Sequence, residues 1–584
     1  MSGAETLLLA LLGLALTGLP AVAAALLAVR LGLRDVATIL SLALVASGAA
    51  AMLTFWAYFL PPSVGPSGAY LVRFGSVGLI AWSWPAAARE RALLRRLAVP
   101  LGLWGLATLF VTGFGFMYGG TDFAMGVSAY RFATDPTPFA GDNNIPLSHS
   151  QWLFEGHPGP PPYDAAAGWQ FSDRGPLQIG YVLSNRVFDS GMGEVRYETL
   201  GIALQQLWVV GMWALLLAAR VSARTRGLAM VATIVSGVAI ANAFYVWPKL
   251  LAGAFVLAAL ALVVSPGEPL IRRRPWTVVL LAACAGLALL AHSSTAFALV
   301  PVAALALWRG LPERRWLLAG VVALAVFLLP WLGYKQFVDP PSNRLEKLSL
   351  GGFAGLDDRG TLETLGDEYA EAGLAGTIDN KYRNFLTMAG GNPTTAPPPE
   401  GIFQWGPVTT QLGDLVTAAA DGDFSEAISK AREIPHWHLF WALGLLPLAL
   451  VPILLGRLGG RWRDGPEWGL GRFSLLFFAG SVVVFALLMF GNGASRAIPA
   501  SLTFAVPLLG MAGLVAALEA TYPRLTIPLV GANTLLTLLV YAPWIGEVPG
   551  LGFSTLMAVV AAASLAGVLA ISLSGHVTRP SSAR

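Results

Sequence analysis

Asp142, in the run Asp142-Asn143-Asn144-Ile145-Pro146, stands a few residues before Trp152, Leu153 and Phe154. A second polar run follows, Ser172-Asp173-Arg174-Gly175-Pro176-Leu177-Gln178. A carboxylate, amides, a histidine pair and an arginine are thus gathered in one polar interval of an otherwise apolar chain. A carboxylate so placed can accept a proton from an incoming hydroxyl, and an arginine can hold an anion through parallel hydrogen bonds. The structural alternative for Asp142 is a helix N-cap or Asx-turn, which Asp-Asn-Asn favours on local chemistry. For Asp173 and Arg174 it is a turn and its surface charge.

Three short polar joints add to this set: Tyr245-Val246-Trp247-Pro248-Lys249, His292-Ser293-Ser294-Thr295, and Asn492-Gly493-Ala494-Ser495-Arg496. Lys249, Arg496, His292 and Arg174 are the candidate phosphate-binding groups. Asn143, Asp173, Gln178 and Trp247 are candidates for positioning the loops or an acceptor. Snorkelling to lipid headgroups is the alternative for Lys249 or Arg496 taken alone. Arg73 is a weaker fifth cation.

The elements that must position these groups are apolar helices. Of 584 residues, 55% are apolar and 12% charged, with mean hydropathy +0.65. A soluble chain carries roughly twice that charged fraction. Apolar runs of membrane-crossing length recur along the chain, and only helices can satisfy their backbone groups in lipid. The sequence therefore predicts an all-α polytopic membrane protein of about 15 transmembrane helices.

Orientation comes from the arginines. One set of alternate loops holds Arg30, Arg34, Arg89 to Arg96, Arg220 to Arg226, Arg272 to Arg274, Arg309 to Arg315 and Arg457 to Arg472, whereas the short loops of the other set hold only Lys249 and Arg496. This predicts the N-terminus outside, the C-terminus in the cytoplasm, and the two long polar intervals, 117–199 and 334–436, on the outer face. The expected organisation is an N-terminal unit of three spans (1–97), a catalytic core (98–333), an outer cap (334–436) and C-terminal helices (437–584). The positive charge reports orientation and gives no reason to invoke nucleic acid. The lone Cys284 excludes an internal disulfide and disfavours a cysteine metal site. No Walker, His-Glu-x-x-His, Gly-x-Ser-x-Gly, Rossmann or EF-hand pattern occurs. High Ala, Gly and Arg content points to a bacterial inner membrane.

Taken together, Asp142, the Ile145-Pro146 to Trp152-Leu153-Phe154-Glu155-Gly156 helix and the Asp173-Arg174-Gly175-Pro176-Leu177-Gln178 turn resemble the first external loop of GT-C glycosyltransferases. The pattern is most similar to their protein-mannosyltransferase and aminoarabinose-transferase branch. That branch often has paired acids where this chain has Asp142-Asn143, and its catalytic loop follows the first span, whereas three further spans come first here. The resemblance implies a GT-C-like bundle with two long outer loops. It further implies transfer of a sugar from a polyprenyl-phosphate donor to a glycan, lipid or protein acceptor at the periplasmic or outer face, with inversion. Asp142 would be the general base. No cofactor is implied, and a divalent cation is compatible with the chemistry without being indicated. Two other readings stay open. An O-antigen ligase or polymerase usually carries its long loop late in the chain. A lipid-linked-saccharide flippase calls for an inverted repeat and charges lining a central cavity.

Overall fold

The computed structural model describes residues 2–60, 64–117, 145–157, 159–160, 170–186, 192–353, 355–388, 408–433, 441–461, 464–490, 504–541 and 553–574. The regular elements among these residues are helices. The first four helices are α1 (Gly3–Arg30), α2 (Val36–Phe59), α3 (Val64–Ala87) and α4 (Arg91–Gly115). The first polar interval contributes α5 (Ile145–Phe154) and α6 (Pro176–Ser184). Next come α7 (Glu194–Gln205), α8 (Trp208–Ala218), α9 (Ala223–Ile234), α10 (Gly237–Phe244), α11 (Lys249–Val263), α12 (Thr277–Ala291), α13 (Thr295–Trp308) and α14 (Arg314–Phe337). The second polar interval folds into α15 (Arg344–Gly351), α16 (Thr361–Met388), α17 (Val408–Ala420) and α18 (Phe424–Glu433). The chain closes with α19 (Leu450–Leu458), α20 (Pro466–Leu488), α21 (Ala505–Thr521), α22 (Pro523–Tyr541) and α23 (Thr555–Ser574).

Among the described residues, eight helices are long and apolar enough to cross a membrane, or nine if the bent pair α9–α10 is one span. This supports a multi-pass helical membrane protein. The helices missing from the eight have physical reasons. The expected third span, 69–87, lies in α3, where Arg73, serines and glycines dilute the apolar run. The expected span 227–247 is broken between α9 and α10 by a bend of 51°. Val235 leaves the helical region there, and Ser236 restarts the chain by accepting the amide of Ala239 at 3.3 Å. Helices α11 and α12 have 15 residues each. At 1.5 Å per residue they reach about 22 Å, short of a hydrocarbon core of roughly 30 Å.

These short helices form the centre of the bundle. Every residue of α11 is buried, as expected of a helix apolar all round, and α2, α8, α12, α13 and α21 lie against it. Helix α6 is pressed onto α2 so closely that a Cβ at Gly180 would lie 2.3 Å from the carbonyl oxygen of Ala51. By contrast, α14 leaves Leu318, Val321, Val322, Val326 and Leu329 exposed, the surface that acyl chains would solvate.

Candidate functional site

The turn that carries Arg174 is built from both sides. Asp173 Oδ2 accepts the backbone N–H of Gln170 at 2.9 Å and closes a short 3-10 turn over Phe171–Asp173. Arg174 and Gly175 follow in extended conformation, and Pro176 opens α6, where its missing N–H costs nothing. Gly175 sits against the end of α12, because a Cβ there would lie 2.0 Å from the carbonyl oxygen of Leu290 and 3.0 Å from that of Ala291. The next residue of that strand of chain is His292. Close approach at Gly175 is therefore what sets Arg174 beside His292.

Lys249 is held by a second tight turn. Val246 has φ +53°, a left-handed conformation that strains a β-branched residue. The strain is held in place by packing. A Cβ on Gly201 would lie 2.4 Å from Val246 Cγ1, and Gln178 Nε2 donates to the Val246 carbonyl at 3.0 Å and to Tyr197 Oη at 3.0 Å. Gln205 Nε2 donates to Gln178 Oε1 at 3.4 Å, while its Oε1 accepts the amide of Leu251 at 3.0 Å. Gln178 is thus fully buried, with its amide bonded to the backbone of this turn. The Lys249 ammonium lies 3.6 Å from the centre of the Trp247 ring, and both side chains are at least 92% buried, with 2% and 8% exposed. Trp247 in turn meets His292 edge-on, with centroids 6.2 Å apart. Its indole N–H is buried and finds no acceptor among the described residues.

His292 completes the group. Its Nδ1 accepts the backbone N–H of Ser294 at 3.2 Å and contacts Ser294 Oγ at 2.8 Å. In the neutral ring the proton is therefore on Nε2, which is a donor. Burial, followed by the charges of Lys249 and Arg174, pushes the ring's pKa well below the ordinary value. Arg174, Lys249 and His292, named from three separate stretches of sequence, are neighbours: Lys249 and His292 both adjoin Trp247, and the charges of Lys249 and Arg174 are felt at His292. The arrangement can bind an anion and excludes a proton from the imidazole. Asp142, Asn143 and Arg496 lie outside the described residues. Asp173 faces away toward Arg344, 2.9 Å distant, and burial raises its carboxyl above the usual range despite the opposing pull of Arg344.

Two residues were not singled out by sequence reasoning. His149, on the inner face of α5, is 1% exposed and stacks on Phe171 with centroids 4.0 Å apart. Neither of its ring nitrogens is hydrogen-bonded among the described residues. Burial, then the neighbouring charge of Arg174, lowers its pKa to about 3. Glu198 of α7 is fully buried, and neither carboxyl oxygen meets a donor among the described residues. In sequence it falls in a polar interval, and only the outward extension of α7 reveals that it is packed inside.

His149 carries a pH prediction. Its native pKa is depressed, so between about 6.5 and about 3 the unfolded chain binds a proton that the folded chain refuses, and stability falls as pH drops through that window. At pH 5 this one group should cost about 2 kcal/mol relative to pH 7. Thermal unfolding in detergent at the two pH values should show a smaller acid-induced fall in Tm for His149→Phe, which keeps the stack, than for the wild type. Equal falls would mean that His149 is hydrated in the native state.

Compared with protein-family models, curated proteins and solved structures, the chain matches none.

Proposed function

We propose that the chain is a membrane glycosyltransferase that moves a sugar from a polyprenyl-phosphate-linked donor to an acceptor hydroxyl at the outer face of a bacterial cytoplasmic membrane. In this reading Asp142 takes the proton of the acceptor hydroxyl as its oxygen attacks the anomeric carbon. The bond from that carbon to the phosphate oxygen breaks, and its electron pair leaves with the lipid phosphate. Lys249, Arg174 and Arg496 neutralise that departing charge, and the Nε2–H of His292 donates to it. Direct displacement inverts the anomeric centre. Preorganised cations in a site shielded from water lower such a barrier more than they would in bulk solvent. No covalent intermediate is needed, because a lipid phosphate already leaves well.

One observation supports the reading: Lys249 and His292 both adjoin Trp247, and the charges of Lys249 and Arg174 are both felt at His292, so three groups chosen as phosphate ligands from sequence are neighbours. The acceptor, whether glycan, lipid or protein, is left to the assay. Wild type and Asp142→Asn, both shown to be folded and monodisperse, would be incubated with radiolabelled polyprenyl-phosphate sugars and membrane-extract acceptors. Release of lipid phosphate by the wild type, lost by at least about 10²-fold in Asp142→Asn, is the expected result. Transport of lipid-linked saccharides is a second reading, favoured by the buried carboxyl of Glu198, since ionisable groups inside spans commonly mark translocation or proton paths. Donor that binds but stays intact with every acceptor would favour transport.

A further inference from the structure

We propose that Asp339 and Arg344, at the start of the second polar interval, are positioning residues for Arg174, so that this interval governs anion binding at Arg174. The proposal rests on the reading of Arg174 as a phosphate-binding cation.

The first and second polar intervals meet around Ser172 and Asp339. Asp339 Oδ2 accepts the backbone N–H of Ser172 at 2.7 Å, and Gln170 Nε2 donates to the Pro340 carbonyl at 3.3 Å. Arg344 Nη1 donates to Asp173 Oδ2 at 2.9 Å. That oxygen is the one that closes the turn by accepting the Gln170 amide. Three contacts therefore fix Gln170, Ser172 and Asp173, three of the four residues before Arg174, from groups 167 to 171 positions away in sequence. The ion pair is buried, with 11% and 3% of its side chains exposed. Such a pair adds little net stability over an apolar replacement, but it accepts only a narrow geometry. Together with the contact of Gly175 on α12, the latch leaves Arg174 little freedom to move.

The latch is itself anchored. Asn343 Nδ2 donates to the Arg359 carbonyl at 3.0 Å, Lys347 pairs with Asp357, and Arg359 bridges Asp357 and Asp367 at 2.7 and 2.9 Å. Farther along α16, Lys381 Nζ and Asn384 Nδ2 both donate to the Met489 carbonyl, at 2.8 and 2.6 Å, and the Phe490 amide donates to the Ser349 carbonyl at 2.8 Å. One folded segment thus grips the turn of Arg174 on one side and the end of α20 on the other. Any displacement of α15 and α16 on binding a partner would be felt at Arg174.

The test uses the intact protein in nanodiscs with undecaprenyl phosphate as the probe. Arg344→Met and Asp339→Ala should each weaken its binding by about 10-fold, while Asp339→Asn, which retains an acceptor oxygen, stays near wild type. In an Arg174→Met background, Arg344→Met should have no further effect, because its influence runs through Arg174. Hydrogen exchange without ligand supplies a second readout: the Ser172 amide should exchange faster in Asp339→Ala. An unchanged Ser172 amide, or an equal loss of binding from Arg344→Met with and without Arg174, would overturn the proposal. If the amide responds but the wild type binds no undecaprenyl phosphate, the latch stands as a structural contact. The phosphate reading of Arg174, and control of anion binding with it, would then be lost.

Discussion

Gly175→Ala is expected to cut donor turnover by about 10²-fold or more while the protein still folds. The backbone at 175 has φ −64° and ψ 141°, which any residue adopts, so conformational freedom is not why glycine is needed. Space is. The added Cβ would start 2.0 Å from the Leu290 carbonyl oxygen and 2.6 Å from its carbon, and real Cβ contacts essentially never fall under 3.0 Å. Both obstructing atoms are backbone, so no side chain can rotate away. The turn must lift from α12 by about 1 Å, and misplacement on that scale is enough to cost two orders of magnitude in an oriented site. Stability should fall by only about 1–3 kcal/mol, as for other overpacked positions. Gly193→Ala is the matched control, since nothing lies within 4 Å of its Cβ. Release of lipid phosphate, compared with Tm for all three proteins, decides the matter. Full turnover in Gly175→Ala would show that Arg174 need not lie against α12.

Why some of this was legible in the sequence and some was not follows from the range of the forces involved. Local chemistry set the amphipathic helix after Asp142: Asn144 and Pro146 signal a start, and α5 does occupy Ile145–Phe154, with Gly156 at φ +86° just beyond it. The Arg174-Gly175-Pro176 break is likewise a local signal, as is the start of α6 at Pro176. The depletion of cations from one set of loops singled out Lys249, which is held as a buried group over Trp247. What the sequence hid is what depends on distant partners. Nothing near Asp173 announces Arg344, and nothing near Gln178 announces that its amide holds the strained carbonyl of Val246. Hydropathy alone could not tell the fifteen-residue helices α11 and α12 from full spans, because a buried core helix and a membrane span are equally apolar. Glu198 was missed for the converse reason: a carboxylate next to a polar interval reads as solvated until packing encloses it.

Lys249→Met should separate function from stability more sharply than any other change. Lys249 is 2% exposed, and taking a charge out of water costs several kcal/mol that its surroundings, the Trp247 ring among them, must offset. Methionine has nearly the same length and no charge, so Tm should hold or rise. Lipid-phosphate release should fall by about 10²–10³-fold, the effect of removing one preorganised group that meets charge developing in the transition state. Raising salt should not mimic the variant, because a buried cation is screened far less than a surface one. Arginine is a poor substitute: a guanidinium can stack on the Trp247 ring, but its larger head has no room at a fully buried position unless the turn from Val246 to Lys249 shifts. Should Tm drop and turnover fall only in step with the folded fraction, Lys249 is a structural cation of the bundle. A raised Tm with lost turnover would mean that the chain retains a costly buried charge for the anion it meets.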